Sequence, residues 1–149
     1  MKRFLMPLVV CCVLAATAAF ASDQEQKAME LVAKAVELVK THGVDKAVPI
    51  LNDPNGGFVD GEIYVYLMKN DGLVLAHGGN PALVGKNMMG LKDSDGVEFI
   101  RVQTEQAMKA PGWVSYKWTN PTTKKLQDKA SYVMAVPGMD VWAGCGVYK

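Results

Sequence analysis

The apolar residues of this chain recur first at the spacing of a helix and later at the spacing of strands. Ser22 and Glu25 have the spacing of a capping box, and apolar side chains follow them every three or four positions. This stripe comprises Ala28, Met29, Leu31, Val32, Ala35, Val36, Leu38 and Val39. The pattern predicts a long amphipathic helix that ends near Gly43. Residues 45–51 predict a further short turn of helix, broken at Pro49.

The rest of the chain is dominated by segments in which apolar and polar residues alternate. Strands are predicted at residues 63–68 and 73–77, in a hairpin over residues 112–136, and at residues 141–148. Between the two hairpins, Asp95 and Glu98 have capping-box spacing and predict a helix that runs to about Ala110. Short connections between strands favour antiparallel pairing, so the pattern predicts an α+β fold.

The hairpin over residues 112–136 is rich in groups that build pockets. Alternation puts Val114, Tyr116 and Trp118 on one face of its first strand. In its second strand Lys129, Ser131 and Val133 share a face. Aromatic residues in such a pattern fit a core with solvated lysines as well as they fit a ligand pocket, so both interpretations remain open at this point.

The first 21 residues have the composition of a secretory signal. A short basic start precedes an apolar run, and Ala19, Phe20 and Ala21 form a small-x-small cleavage pattern before Ser22. We therefore expect a signal peptide at residues 1–21, a single domain at residues 22–149, and a periplasmic address. The alternative is an uncleaved segment that anchors the protein in the inner membrane, which would be its contact with a membrane.

Charge and cysteine content narrow the function classes. Removing Lys2 and Arg3 with the signal changes the formal net charge from +1 to −1, and no basic stripe remains, which argues against nucleic acid as a partner. Cys145 is then the sole cysteine, so no intramolecular disulfide can form. Its apolar alternating surroundings favour a buried, unreactive thiol over a nucleophile.

The sequence lacks the signatures of catalysis and of cofactor binding. It has no nucleophile elbow, no phosphate-binding glycine loop and no C-x-x-C-H haem motif. His42, His77 and Cys145 do not make a zinc set. Residues 93–96 do not satisfy a calcium loop, because Leu91 and Val102 stand where acidic ligands are required. We therefore expect no enzyme activity, no metal and no cofactor.

Two single residues are candidates for ligand contact. His77 ends a strand and enters a glycine-rich loop, where it can be either structural or ligand-binding. Lys129 begins a strand beside Ser131 and Tyr132, and it can point either to solvent or into an apolar pocket. In a pocket its ammonium would neutralise a ligand carboxylate through charge-assisted hydrogen bonds.

Three segments together resemble a single Cache domain of the short periplasmic type, a PAS-like sensor family. They are the hairpin G-W-V-S-Y-K-W-T-N-P with its return strand, the segment A-H-G-G-N-P-A-L-V-G-K-N at residues 76–87, and the ending G-C-G-V-Y-K at residues 144–149. The motifs follow the order of the family's pattern from about Phe58 to the last residue. The resemblance implies a five-stranded antiparallel sheet, with the long first helix on one face and ligand on the other.

The resemblance also implies a function, namely sensing of a small organic acid of the acetate, propionate or pyruvate class in signal transduction or chemotaxis. Carried over to matching positions, it implies the ligand-binding residues Tyr64, Tyr66, His77, Tyr116, Trp118 and Lys129. No second apolar span follows the domain, so we expect a free binding module that presents ligand to a separate membrane receptor or kinase. The alternatives are an interaction module without a ligand and an enzyme acting on a small carboxylate.

Overall fold

The computed structural model describes residues 22–149, and it begins with the predicted long helix. Helix α1 spans Asp23–His42 and has the expected capping box, because Ser22 and Glu25 each accept a hydrogen bond from the other's backbone N–H. The predicted signal segment lies outside the described residues, so its cleavage stays a prediction. None of the helices within residues 22–149 has the length and apolar character needed to cross a membrane.

Helix α2, Val44–Asn52, differs from the prediction, because Pro49 lies inside it and does not break it. Proline removes one N–H from a helix, and here the carbonyl left without that bond belongs to Asp45, which is exposed to solvent. Asp53 continues the pattern by donating its N–H to the carbonyls of Pro49 and Ile50. A single exposed gap in the hydrogen-bond ladder is therefore tolerated.

The described chain forms an antiparallel sheet of six strands, one more than expected. They are β1 (Val59–Asp60), β2 (Ile63–Lys69), β3 (Val74–His77), β4 (Gly112–Thr119), β5 (Leu126–Ala135) and β6 (Val141–Tyr148). The order is β1-β2-β6-β5-β4, and β3 pairs with the later part of β2. The additional strand is β1, whose two residues are too few to give an alternating pattern. The predicted α+β class with a helix on one face of the sheet is confirmed.

The two faces of the sheet carry different side chains. Toward α1 and α2 the sheet presents small and aliphatic residues, among them Val65, Leu67, Ala143 and Cys145. The opposite face is rich in aromatic residues, among them Tyr64, Tyr66, Trp142 and Tyr148, and it also carries Met68. The buried position predicted for Cys145 is confirmed, and it lies on the helix face, away from the aromatic residues.

The aromatic face is covered by helix α3, Phe99–Lys109, and by the long segment between β3 and α3, which includes a 3-10 turn at Pro81–Leu83. The prediction that Asp95 caps α3 is wrong: the helix begins after Glu98 without a side-chain cap. Asp93 is the carboxylate that orders this turn, because it accepts the backbone N–H groups of Asp95, Val97 and Lys117. Its contact with β4 could not be foreseen from local spacing.

Candidate functional site

The sheet brings the six expected site residues to its aromatic face. Tyr64 and Tyr66 come from β2, and His77 at the end of β3 pairs with Tyr66. Cross-strand partners point to the same side of a sheet, and Lys129 on β5 is the partner of both Tyr116 on β4 and Tyr148 on β6. Five strands, β2 to β6, therefore contribute to one cluster.

Five of the six expected residues line a small cavity between the sheet and α3, and Lys129 is not among the residues that line it. It is lined by Tyr64, Tyr66, Met68, His77, Met88, Phe99, Ile100, Tyr116 and Trp118. Phe99 stacks on Tyr116 with ring centroids 4.9 Å apart, and tilts against Trp118 at 5.2 Å. The cavity volume is about 10 Å³, roughly the room that one water molecule needs. In this arrangement the side chains fill the site.

Lys129 is buried with only 2% of its surface exposed. Its Nζ donates to the Tyr64 hydroxyl at 2.7 Å and lies 4.0 Å from the Tyr64 ring centroid and 4.8 Å from that of Tyr148. No ion pair joins it to any carboxylate within residues 22–149. Desolvation by burial therefore lowers the pKa of Lys129 to about 7.

The hydrogen bonds around Lys129 run in one direction. The Tyr148 hydroxyl donates its hydrogen to the Thr119 carbonyl at 3.0 Å. It must therefore accept from Tyr64, whose hydroxyl lies 3.2 Å away. Tyr64 in turn accepts from Lys129, so donation proceeds from the amine through two phenols to a backbone carbonyl. Burial raises the pKa of Tyr64 well above its ordinary value, which keeps this phenol protonated.

His77 is held as a neutral donor. Its Nδ1 accepts the backbone N–H of Asn80 at 2.9 Å, and since a backbone N–H can only donate, the ring proton must sit on Nε2. Burial first, and the charge of Lys129 second, lower the pKa of His77 to about 3. The ring lies against Tyr64 and Tyr66, with centroids 5.0 and 5.8 Å away, and lines the cavity.

A second polar cluster, of Tyr66, Gln103, Tyr116 and Ser131, completes the aromatic face. The Tyr66 hydroxyl donates to Gln103 Oε1 at 2.6 Å, and the Tyr116 hydroxyl lies 3.0 Å from Ser131 Oγ. Sequence reasoning did not select Gln103, Ser131 or Tyr148. The signal for Gln103 was its place three and four positions after Ile100 and Phe99, on the apolar face of a helix.

Two glycines of β6 make room for these side chains, and sequence reasoning did not assign them a role. A Cβ on Gly144 would lie 2.4 Å from the Tyr66 ring. One on Gly146 would lie 2.4 Å from Lys129 Cε and 2.3 Å from Ser131 Oγ. The Lys129 stem therefore crosses β6 at a position where no side chain stands, and this is how its ammonium reaches Tyr64 on β2.

The polar groups around the cavity differ from the usual ligands of a metal ion. Within residues 22–149, no three His, Cys, Asp or Glu side chains come together as metal ligands. The polar groups that line the cavity are instead a neutral imidazole N–H and protonated phenols, and the Lys129 amine is hydrogen-bonded to one of these phenols, Tyr64. Burial raises the pKa of Tyr116 to about 12, so this phenol too keeps its hydrogen. Such a donor-rich, water-poor surface complements negatively charged oxygen.

Solved structures share this fold. A methyl-accepting chemotaxis protein from Vibrio parahaemolyticus matches with a TM-score of 0.73 and 22% identity, over 84% of this chain and 88% of that one. A Cache chemosensory domain described for carboxylic acid recognition matches with a TM-score of 0.71 and 22% identity, over 83% of this chain and 91% of that one. A periplasmic sensor domain of a chemotaxis protein matches with a TM-score of 0.72 and 21% identity, over 86% of this chain and 99% of that one.

A curated relative is similar in sequence. The sensor histidine kinase MctS from Rhizobium johnstonii is 33% identical over 89 residues, which are 60% of this chain and 19% of that protein. This chain thus spans about a fifth of the length of the kinase. Residues 21–149 match the profile described as single Cache domain 2, which covers the whole described fold and every residue of the site. The chain therefore belongs to the single Cache domain 2 family.

Proposed function

We propose that this domain binds a small organic acid and that Lys129 is the anchor for its carboxylate. The observation that carries the proposal is a lysine amine with 2% exposure and no carboxylate partner among residues 22–149. A buried charge is destabilising unless it is paired, and a ligand carboxylate would supply the missing partner. The fold shared with a Cache domain described for carboxylic acid recognition is consistent with this ligand class.

The other five expected residues have separate roles in this proposal. Tyr64 orients the Lys129 amine through their 2.7 Å hydrogen bond, and His77 offers its Nε2–H to a carboxylate oxygen. Tyr66, Tyr116 and Trp118 form walls that exclude water and limit the length of the ligand. Because His77 stays neutral, the site offers one positive charge, which suits a monocarboxylate.

Binding requires side chains to move, because a cavity of about 10 Å³ cannot hold even a two-carbon acid. Tyr64 and Trp118 line both this cavity and a surface cleft of about 550 Å³, which Leu83 and Pro121 also border. These two rings lie between the cavity and this cleft. We infer that their displacement admits the ligand.

At the level of the whole protein, we propose that the domain acts in the periplasm and passes ligand occupancy to a membrane receptor or kinase. Support comes from the family and from sequence similarity to a sensor histidine kinase. The two alternative functions predict assay results that differ from those of a ligand-binding domain. An interaction module without a ligand shows no thermal shift with small acids, and an enzyme alters the mass of the incubated acid.

The test of the anchor is Lys129→Met, which keeps the stem volume and removes the amine. We expect it to weaken the binding of acetate, propionate and pyruvate by roughly ten- to a hundredfold, the effect of losing one charge-assisted hydrogen bond. Isothermal titration of both proteins measures this. Lys125→Met is the matched control, since Lys125 lies on the same hairpin and is exposed.

Two outcomes would contradict the assignment. If Lys129→Met binds the acids as tightly as the parent, the anchor lies elsewhere. If Lys125→Met weakens binding to the same extent, the effect comes from overall charge and not from the buried amine. Unfolding of each free variant, followed by circular dichroism, shows that a lost affinity is not a lost fold.

A further inference from the structure

The surroundings of the Lys129 amine suit a neutral amine better than a cation. An ammonium has three N–H donors, and among the described residues Nζ has one hydrogen-bond acceptor, the Tyr64 hydroxyl at 2.7 Å. The ring faces of Tyr64 and Tyr148, 4.0 and 4.8 Å from Nζ, stabilise a cation only in part. Since 2% of the residue is exposed, solvent reaches little of it. A protonated Lys129 therefore has donors without acceptors.

The titratable side chains that face the amine on this side of the sheet are uncharged near neutral pH. They are Tyr64 and Tyr66 from β2, His77 from β3, Tyr116 from β4 and Tyr148 from β6. Burial raises the pKa of each of these four phenols and lowers that of the imidazole. Cys145, on the other face of β6, has its pKa raised to about 12 and also stays neutral. The buried residues of α1 and α3 include no titratable side chain.

The charged groups nearest to Lys129 in the sheet have partners of their own. Lys117 and Asp128, the neighbouring cross-strand pair, point to the opposite face and bond to each other at 2.9 Å. Glu62, in the turn before β2, favours the ammonium by its charge, but it is hydrogen-bonded to Asn120. The amine is thus the group on the aromatic face whose charge changes near neutral pH, in agreement with its pKa of about 7.

A proton can be added to Lys129 without rearranging the hydrogen bonds around it. Because Tyr148 donates to the Thr119 carbonyl and Tyr64 donates to Tyr148, Lys129 is the donor to Tyr64 in its neutral and in its charged form. Protonation therefore adds a charge and an N–H group that lacks an acceptor. A carboxylate supplies both missing partners, since it is negative and only accepts hydrogen bonds.

We propose that the domain takes up one proton at Lys129 for each acid anion that it binds, so that its ligand is in effect the undissociated acid. This inference rests on the proposed function and deepens it. Solvent supplies the proton, one N–H bond forms on Nζ, and the product is an ammonium paired with the carboxylate. Occupancy then depends on the acid concentration and on the pH together, and the domain reports acid load and not the anion alone.

The test is isothermal titration of the parent with acetate and propionate in buffers of different ionisation enthalpy, such as HEPES and Tris at pH 8. The dependence of the observed enthalpy on the buffer gives the protons bound. We expect uptake of about 0.9 proton per acid at pH 8 and about 0.1 at pH 6. Affinity should fall about a hundredfold from pH 6 to pH 9, although carboxylic acids are ionised throughout that range. Uptake near zero at pH 8 would overturn the inference.

Variants assign the proton to Lys129. Lys129→Arg keeps a positive charge at every pH in this range, so it should bind acetate without proton uptake and with nearly constant affinity from pH 6 to pH 9. Lys125→Met is the matched control, because Lys125 is exposed on the same hairpin, and it should take up protons as the parent does. Uptake that persists in Lys129→Arg would overturn the inference, since another group would then bind the proton.

This inference and the proposed function fail in different ways. If the acids bind and Lys129→Met weakens them, but the parent takes up no proton at pH 8, the proton coupling is wrong and the carboxylate anchor stands. If neither acid binds the parent at pH 6, the proposed function itself is wrong, and this inference with it. If Lys129→Arg does not fold, the residual binding of Lys129→Met serves, because it should likewise be independent of pH.

Discussion

At the scale of single residues, Lys129 is a group whose burial opposes folding. Its pKa is lowered from 10.5 to about 7 by desolvation, so the folded state holds this proton less tightly than the unfolded chain does. Between pH 7 and 10.5 the unfolded state binds more protons, and stability therefore rises with pH across that window. Below pH 7 both states are protonated, and the full cost of burying the charge is present.

Lys129→Met should accordingly stabilise the unliganded protein at pH 6, and the advantage should shrink as the pH rises. Between pH 6 and 9 we expect the difference in unfolding free energy to narrow by on the order of 2–3 kcal/mol. Urea unfolding at several pH values measures this. The thiol and the phenols also contribute to the pH dependence of the unfolding free energy. Both proteins contain these groups, so their contributions cancel in the difference between the two proteins.

A pH-independent difference between the two proteins would contradict that account of Lys129. A gain in stability combined with a loss of acid binding is the signature of a residue retained for function at the expense of stability. The same residue would then oppose folding and favour recognition of the ligand.

At the scale of elements, β6 decides how the site is assembled. Its residues alternate between the helix face, where Cys145 lies, and the aromatic face, where Gly144 and Gly146 leave space. Neither glycine has a positive φ, so the space and not the backbone conformation requires glycine. The absence of side chains at these two positions of β6 therefore lets the Lys129 side chain extend across the strand to β2.

Gly146→Ala tests this role. The added methyl group would meet Lys129 Cε and Ser131 Oγ, so the amine should be displaced from Tyr64 and acid binding weakened at least tenfold. We expect a loss of about 1–3 kcal/mol in unfolding free energy from overpacking. Gly90→Ala is the control, because a methyl group there meets nothing within 4 Å. Unchanged affinity in Gly146→Ala would contradict the positioning role.

Helices and strands whose signals come from neighbouring residues in the sequence could be predicted. The capping box of α1 and the alternation of β4 and β5 involve neighbours in sequence, and both predictions are confirmed. The two-residue strand β1 and the continuation of α2 through Pro49 escaped prediction. Strand β1 forms because β2 is beside it to pair with. Helix α2 continues through Pro49 because solvent surrounds the Asp45 carbonyl that loses its hydrogen bond.

At the scale of the whole molecule, the periplasmic location is a prediction that depends on the signal sequence expected at residues 1–21. We expect cleavage after Ala21, so that the mature protein begins at Ser22, the first residue of the α1 capping box. Intact-mass measurement of protein from the periplasmic fraction checks this. A membrane-bound species that retains Met1 would support the anchor instead.

Part of the candidate site could be predicted from the sequence, and the rest is visible only in the structure. The family motifs named Tyr64, Tyr66, His77, Tyr116, Trp118 and Lys129, and the structure brings all six to one face of the sheet. Whether they bind ligand is still a prediction. Gln103, Ser131 and Tyr148 join them through hydrogen bonds between positions 15 to 84 residues apart in the chain. No periodicity in a sequence reports such contacts.

The sequence by itself determined the order of the helices and of strands β2 to β6, the residues of β4 and β5 that share a face, and the family, because these depend on local spacing and ordered motifs. Only the tertiary structure decided that Lys129 is buried without a carboxylate, since solvent exposure depends on what other strands and helices contribute. It also decided the tautomer of His77 and the hydrogen bond from the Tyr66 hydroxyl to Gln103. Both follow from partners that meet only after the chain has folded.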